Sequence, residues 1–407
     1  MRRLLPVVLT LVLAACTPQT ARQAAPAVTT PAPVAPIAWT TGWAAAPAAA
    51  VRYQDAGYTV RNVVHLTAGG SAVRVHLTNR LGDKPLVVGH ATVALRAYQG
   101  KARAGTLRSL TFGGRRAVTI RAGAGAVSDP ARLAVPAQAD LLVSVWVPKP
   151  VVRVTTHPTA MQDSYVSRSR ADHAADLSGR AFGEVTRVWH YVSEVDVAGG
   201  PGTVVALGDS ITDGIRSGRN DNARWTDCLA ARLRKDRRTD DYGVANAGIT
   251  GNRILLDAYW PHYTVYQDAG PRALSRADDA FGAAGARTVI ILLGINDIQQ
   301  WPHQRAEAVI AGLRRLMARA RADGLRVVVG TLTPWYGWKT WTAGRERTRL
   351  AVNKWIRTTG AVADFDAAVR DPDRPRRMRR EFDSGDHIHP NAAGDAALAA
   401  AVPLGKL

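Results

Sequence analysis

Cysteine is almost missing: the 407 residues hold only Cys16 and Cys228. So few thiols exclude a disulfide-stapled scaffold and the paired-cysteine spacing of a zinc finger. Long apolar runs are scarce as well, and the N-terminal one, Leu4 to Leu13, is too short to cross a bilayer as a permanent helix. Negative charge is in deficit, with 33 Asp and Glu against 53 Lys and Arg and a formal net charge of +20. A field of that sign attracts anionic polymers and phospholipid head groups. The arginines are scattered, however, with no basic-region helix and no single stripe, which argues against nucleic acid as a partner and reads as a solvated surface. No repeat at solenoid or propeller spacing is visible. What remains is ordinary for a chain folding in water, at 46% hydrophobic and 21% charged residues, and the length predicts two domains plus short terminal extras.

At the N-terminus, Arg2 and Arg3 precede the apolar run, which ends in Leu13-Ala14-Ala15-Cys16 and resembles the bacterial lipoprotein processing box. Residues 1–16 therefore read as a lipoprotein-type signal peptide whose Cys16 becomes the lipidated first residue. The expectation is a bacterial exported chain, secreted or held at the cell surface by a lipid anchor, in which Cys228 has no intrachain partner. Residues 17–38 are almost only Ala, Pro, Thr, Gln and Val, too poor in large apolar side chains to fold, and read as a tether.

Over residues 39–198 the pattern is period-two alternation broken by glycine-rich turns. Val73, Val75 and Leu77 alternate with Arg74 and His76, and Val143, Val145 and Val147 with Ser144 and Trp146. Many short strands without long helical stretches predict an all-β sandwich of jelly-roll type. Over residues 199–407 short apolar runs, Thr203 to Leu207, Arg287 to Leu293 and Leu325 to Gly330, alternate with helical periodicity, as in Val309, Ile310, Leu313, Leu316 and Met317. Buried strands alternating with amphipathic helices predict a parallel sheet covered on both sides, with its ligand site at the carboxyl ends of the strands.

Chemistry concentrates at those ends. The first strand runs into Gly208-Asp209-Ser210-Ile211-Thr212-Asp213-Gly214, which presents a serine hydroxyl where the backbone leaves the sheet; read alone, it serves equally well as a helix cap. Near the C-terminus Asp386-His387-Ile388-His389-Pro390 places a carboxylate three residues before a histidine, ahead of an alanine-rich helix. A serine hydroxyl needs a base, and that base needs a fixed tautomer, which Asp386 can provide for His389. Between them, Asn246-Ala247-Gly248 and Gly294-Ile295-Asn296-Asp297 follow strands. They can offer a backbone N–H from Gly248 and an amide from Asn296 to a developing oxyanion.

In this order the blocks with Ser210, Gly248, Asn296, and Asp386 with His389 resemble the SGNH hydrolases, also called the GDSL esterase/lipase family, and within it the subgroup with an N-terminal β-rich domain. The resemblance spans about 200 residues. It implies a flavodoxin-like three-layer α/β/α domain, hydrolysis of acyl esters without metal or organic cofactor, a Ser210-His389-Asp386 triad, and an oxyanion hole from the Ser210 and Gly248 N–H groups and the Asn296 amide. One departure is His387 where the family commonly has glycine, with Asp383 as a second nearby carboxylate. Asp209 and Asp213 invite comparison with a metal pair, but without a histidine cluster they fit turn and capping roles.

Aromatics gather on the loops of the same edge. Trp260, Trp301 and Trp335, with Asp209, are the candidate substrate-binding residues, among neighbours Tyr259, His262, Tyr263, Tyr266, Tyr336, Trp338 and Trp341. No long apolar lid is visible, so short-chain, acetyl-type esters, on carbohydrate, are favoured as substrates. Two other readings are a lipase or phospholipase acting on lipid esters, and a carbohydrate-binding surface lipoprotein whose hydrolase domain is vestigial.

Overall fold

The computed structural model of the chain describes residues 38–52, 57–257 and 269–407. The signal peptide, Cys16, nearly all of the tether, Trp260 and its aromatic neighbours Tyr259, His262, Tyr263 and Tyr266 lie outside the described residues.

The N-terminal alternation folds into two main antiparallel sheets. The smaller runs Trp39–Ala44, Val192–Ala198, Val73–Thr78, Gly125–Val127; the larger runs Glu184–Thr186, Ser164–Ser167, Tyr58–His65, Asp140–Val147, His90–Tyr98, Lys101–Ala102, with Arg108–Ser109 also on His90–Tyr98. Val73, Val75 and Leu77 from one and Val60, Val64, Val143 and Val145 from the other share a single apolar core. Arg74 and His76 stay half-buried on the opposite face, as alternation requires.

Asp140–Val147 departs from the half-solvated pattern. Ser144 is buried too, because Arg61 lies over it and donates from Nε to Ser144 Oγ at 2.8 Å. The same guanidinium reaches the carbonyls of Gly100 and Asp176, each at 2.6 Å, and stacks 4.0 Å from the Phe182 ring. Burial pulls its pKa down to about 10. A second apolar cluster of Val63, Ala94, Leu142, Tyr165 and Phe182 thus covers what alternation alone marks as a wet face.

From Thr203 the architecture changes to a five-stranded parallel sheet in the spatial order Gly243–Gly248, Thr203–Gly208, Ala286–Leu292, Arg326–Gly330, Val362–Ala363. The first strand in sequence is therefore second in space, the flavodoxin-like order. Alternate residues leave on opposite faces. Val205, Leu207, Val289, Ile291, Val327 and Val329 meet the helices Ala273–Phe281, Ala306–Ala322 and Ala343–Ile356. Val204, Ala206, Ile290, Leu292 and Val328 meet Trp225–Leu233, Phe365–Val369 and Ala392–Ala401. Three layers result, and the switch point lies at the carboxyl end of Thr203–Gly208.

The outer edge of this sheet is not open to solvent. Its edge strand Gly243–Gly248 is met by the β-rich region, where the Val244 N–H donates to Thr67 Oγ1 at 2.8 Å, and the Thr41 N–H reaches the Ala284 carbonyl at 3.0 Å. Covering a strand edge removes its tendency to pair elsewhere, and both regions belong to one compact unit.

Candidate active site

Thr203–Gly208 ends in a one-turn helix, Ser210–Asp213, capped by Asp209 Oδ1, which accepts the Ile211 N–H at 3.1 Å. That turn holds Ser210 at the sheet's carboxyl edge. The loop ahead of Ala392–Ala401 is pinned at its exit by Asn391 Oδ1, which accepts the Gly394 N–H at 3.0 Å, and it delivers His389 to the serine. His389 Nε2 lies 2.8 Å from Ser210 Oγ, and His389 Nδ1 lies 2.7 Å from Asp386 Oδ2. The other oxygen, Asp386 Oδ1, accepts the Ile388 and His389 N–H groups at 3.1 and 2.9 Å. Burial alone would raise the Asp386 pKa, but the hydrogen bonds from the His389 ring and backbone hold it well below the usual carboxylate range. It is an anion, so the ring presents Nδ1–H to it and a lone pair to the hydroxyl. His387, the departure from the family pattern, sits at φ 71°, pairs with Asp383 Oδ2 at 2.6 Å, and leaves Ser210 to His389.

Asn296 arrives on the short helix Ile295–Gln299 and is buried. Its Oδ1 accepts the side-chain amides of Gln299 at 2.8 Å and Gln300 at 3.1 Å. Its Nδ2 faces the other way and donates one hydrogen to the Asn252 carbonyl at 3.0 Å, which leaves a second N–H. Gln299 is in turn fixed by Trp338 Nε1 at 2.5 Å and Thr340 Oγ1 at 3.0 Å, both on its Oε1. No motif marked Gln299.

Gly248 does not stand as sequence reading placed it. Its N–H is committed to Asn246 Oδ1 at 2.8 Å, and its Cα is pressed so tightly to the nucleophile turn that a Cβ would lie 2.3 Å from the Asp213 nitrogen. Gly251, three residues on, adopts φ 76°, and its N–H has no protein acceptor among the described residues. Its carbonyl receives Gln300 Nε2 at 2.9 Å, so it abuts the Asn296 network. The spare backbone donor of this loop is thus Gly251; N-A-G and I-T-G are indistinguishable as glycine turns until the Asn246 side chain is placed.

Two substrate-binding expectations are corrected. Trp335 is fully buried and donates its indole N–H to Glu346 Oε2 at 3.0 Å, so its ring seals the core. Asp209 is buried beneath the serine; burial, with the Asp297 and Asp213 carboxylates nearby, pushes its pKa up to about 7, and its Oδ2 has no hydrogen-bond partner. Trp301 is half exposed at the surface. Among the described residues, Trp338 does reach the site, edge-on to the His389 ring with centroids 6.1 Å apart.

One group of metal-ligating type occurs among the described residues, His76, Glu194 and Asp196 in the β-rich region. Arg74 Nε and His76 Nε2 already donate to Asp196 Oδ2 at 2.7 and 2.8 Å, and Thr41 donates to Glu194, so the acceptors are served by protein donors.

Residues 206–397 match the model of the GDSL-like lipase/acylhydrolase family. Solved structures similar to the chain include an aryl esterase from M. smegmatis, at 18% identity and TM-score 0.39, covering 49% of this chain and 95% of that one. A carbohydrate acetylesterase from Sinorhizobium meliloti matches at 20% identity and TM-score 0.37 over 49% of this chain and 95% of that one. A GDSL-like lipase from Bacteroides thetaiotaomicron matches at 17% identity and TM-score 0.35 over 49% and 84%. No curated protein matches the chain.

Proposed function

Since residues 206–397 belong to the GDSL-like lipase/acylhydrolase family and the chain is a carboxylic ester hydrolase, we propose that it works through Ser210, His389 and Asp386. The observation that carries this reading is the unbroken relay from Ser210 Oγ through His389 to Asp386, at 2.8 and 2.7 Å. Ser210 Oγ attacks the acyl carbon while His389 Nε2 takes its proton. The carbonyl oxygen, now an anion, is met by the Ser210 and Gly251 N–H groups and the free Asn296 N–H. Collapse breaks the ester bond, His389 returns the proton to the departing alkoxide, and water, deprotonated by the same nitrogen, releases the acyl group. Asp386 stays ionised throughout and keeps the imidazole oriented. Ser210→Ala should lower turnover of p-nitrophenyl acetate by roughly 10³-fold or more at unchanged Tm; turnover near the wild-type rate would end the assignment.

Short-chain acyl esters, acetyl foremost, on a carbohydrate are the substrates this site favours. Trp338 beside His389 and the Tyr336–Trp341 edge pair, 4.7 Å between centroids, offer ring faces to a sugar. A second reading, a phospholipid with an anionic head group, is favoured by exposed cations close by. Arg216 Nε lies 3.7 Å from Asp386, and Lys339 and Arg377 sit over Trp338 and Tyr336. Comparing kcat/KM on acetylated oligosaccharides, short esters and anionic phospholipid vesicles separates the two.

Export with a lipid anchor at Cys16 is the reading supported by Leu13-Ala14-Ala15-Cys16. Detergent should be required to extract the native chain and Cys16→Ala should release it; full solubility of the unaltered chain would rule the anchor out.

A further inference from the structure

A side chain of the β-rich region reaches the turn that carries Ser210. His157, the last residue of the strand Arg153–His157, is buried, with Nδ1 2.9 Å from the Ala46 carbonyl and Nε2 2.8 Å from Asp213 Oδ1. Both ring nitrogens face acceptors, a carbonyl and a carboxylate, so both carry hydrogen and the ring is a cation. Burial would lower its pKa, but the Asp213 carboxylate overrides this and leaves it raised. The ring is held by Trp189, with centroids 5.4 Å apart, and Trp189 is anchored by its indole N–H to the Val63 carbonyl at 2.8 Å.

Asp213 in turn connects two parts of the site. It ends the helical turn that begins with Ser210, and its Oδ2 accepts both the Thr250 N–H at 2.8 Å and Thr250 Oγ1 at 2.7 Å. The residues that follow are Gly251, with its uncommitted N–H, and Asn252, whose carbonyl receives Asn296 Nδ2. Arg224 reaches only the backbone carbonyl of Asp213, at 3.0 Å, so among the described residues His157 is the ion-pair partner of the carboxylate.

We propose that His157 is a positioning residue for ester hydrolysis: through Asp213 it locks the Thr250–Asn252 loop against the serine turn and so aims the oxyanion donors. The proposal rests on the Ser210 reading above. It makes the β-rich region part of the catalytic architecture and not an appended binding module. A donor misplaced by a fraction of an ångström weakens contact with the tetrahedral intermediate more than with the ground-state ester. The clamp therefore acts on kcat and not on substrate affinity.

The test uses the full chain, with kcat referred to sites titrated by a fluorophosphonate, so that unfolded molecules do not count. His157→Leu should lower kcat for p-nitrophenyl acetate about ten-fold or more with KM within about two-fold, and weaken inhibition by an alkylboronic acid, a tetrahedral mimic, by the same factor. His157→Gln, which keeps a donor toward Asp213, should recover most of that loss. Wild-type kcat per titrated site and unchanged boronate inhibition in His157→Leu would overturn the proposal. So would an equal loss in both histidine variants with KM rising in step. If His157→Leu does not fold, Thr250→Val cuts the far end of the same clamp and should show the same kcat-specific loss, and a wild-type rate there overturns the idea equally. Ser210→Ala keeps the two claims apart: its activity decides the nucleophile whatever His157 does.

Discussion

At the scale of single residues, the site is governed by which polar atoms already have partners. In the proposed oxyanion hole, Asn296 serves because Gln299 and Gln300 occupy its oxygen and leave its nitrogen to donate. Asn296→Ala should lower kcat by roughly 10²–10³-fold with little change in KM, as removal of one oxyanion donor does. Gln299→Leu removes one of the two amides that hold the Asn296 oxygen and should give a smaller loss, about ten-fold, in the same steady-state assay. Asp209 lies beneath, where burial raises its pKa to about 7, and Asp297 is likewise raised by burial to about 6. In the unfolded chain both titrate near 3.8. Between that value and about 7 the native state binds more protons than the unfolded one, so their contribution to stability is complete below the unfolded pKa and is lost as pH climbs through the native values. Asp209→Asn, an isostere of the neutral acid that keeps the acceptor for Ile211, should raise Tm at pH ~8 and change it little at pH ~4, with an upper bound of roughly 4 kcal/mol. Equal Tm shifts at both pH values in thermal melts would show that Asp209 does not titrate in this way.

At the scale of elements, strands and helices with a clear apolar period were legible in the sequence, whereas the partners of buried charge were not. Thr203–Gly208 and Arg326–Gly330 follow from short apolar runs, and the face of Ala306–Ala322 carrying Val309, Leu313, Leu316 and Met317 from helical period. The four-block order likewise led to Ser210, Asn296, Asp386 and His389. Arginine misled, because scattered arginines read as a solvated surface while Arg61, Arg276 and Arg349 are buried. Each binds acceptors supplied by distant segments, and no local pattern announces these. Arg276 collects the Gly208 and Ala247 carbonyls and Asn252 Oδ1 at 2.7–3.1 Å, and braces the two strand ends behind the serine. Trp335 was misassigned for the same reason, since its Glu346 partner comes from the next helix. Arg349 shows the energetic consequence. On the helix Ala343–Ile356 it binds Glu346 Oε1 and Asp366 Oδ1 at 2.7 Å each, tying that helix to Phe365–Val369. Arg349→Met strands the buried Glu346 carboxylate, while Asp366 keeps Arg357 and Arg370 on its Oδ2 at 2.8 and 3.1 Å, and should cost about 3 kcal/mol in urea unfolding. The remaining folded enzyme should keep its turnover per titrated site.

At the scale of the whole molecule, the two kinds of sheet are not independent beads. The edge strand Gly243–Gly248, which leads directly into the proposed oxyanion loop, is covered by Thr67 and by the strand Trp39–Ala44, and Asp213 takes its counter-charge from His157. Cutting the chain near Gly199-Gly200 would expose this edge, which then becomes a template for pairing with other chains. It would also remove His157, so that the Asp213 carboxylate loses its counter-charge and the clamp on Thr250 loses its far end. Residues 199–407 expressed alone should therefore aggregate or, where soluble, hydrolyse p-nitrophenyl acetate at least about ten-fold more slowly per fluorophosphonate-titrated site than the intact chain. Adding residues 39–198 in trans should restore part of the rate if the covered edge can reform. A monomeric, fully active 199–407 fragment, measured by light scattering and initial rates, would show instead that the hydrolase domain carries its own complete oxyanion scaffold.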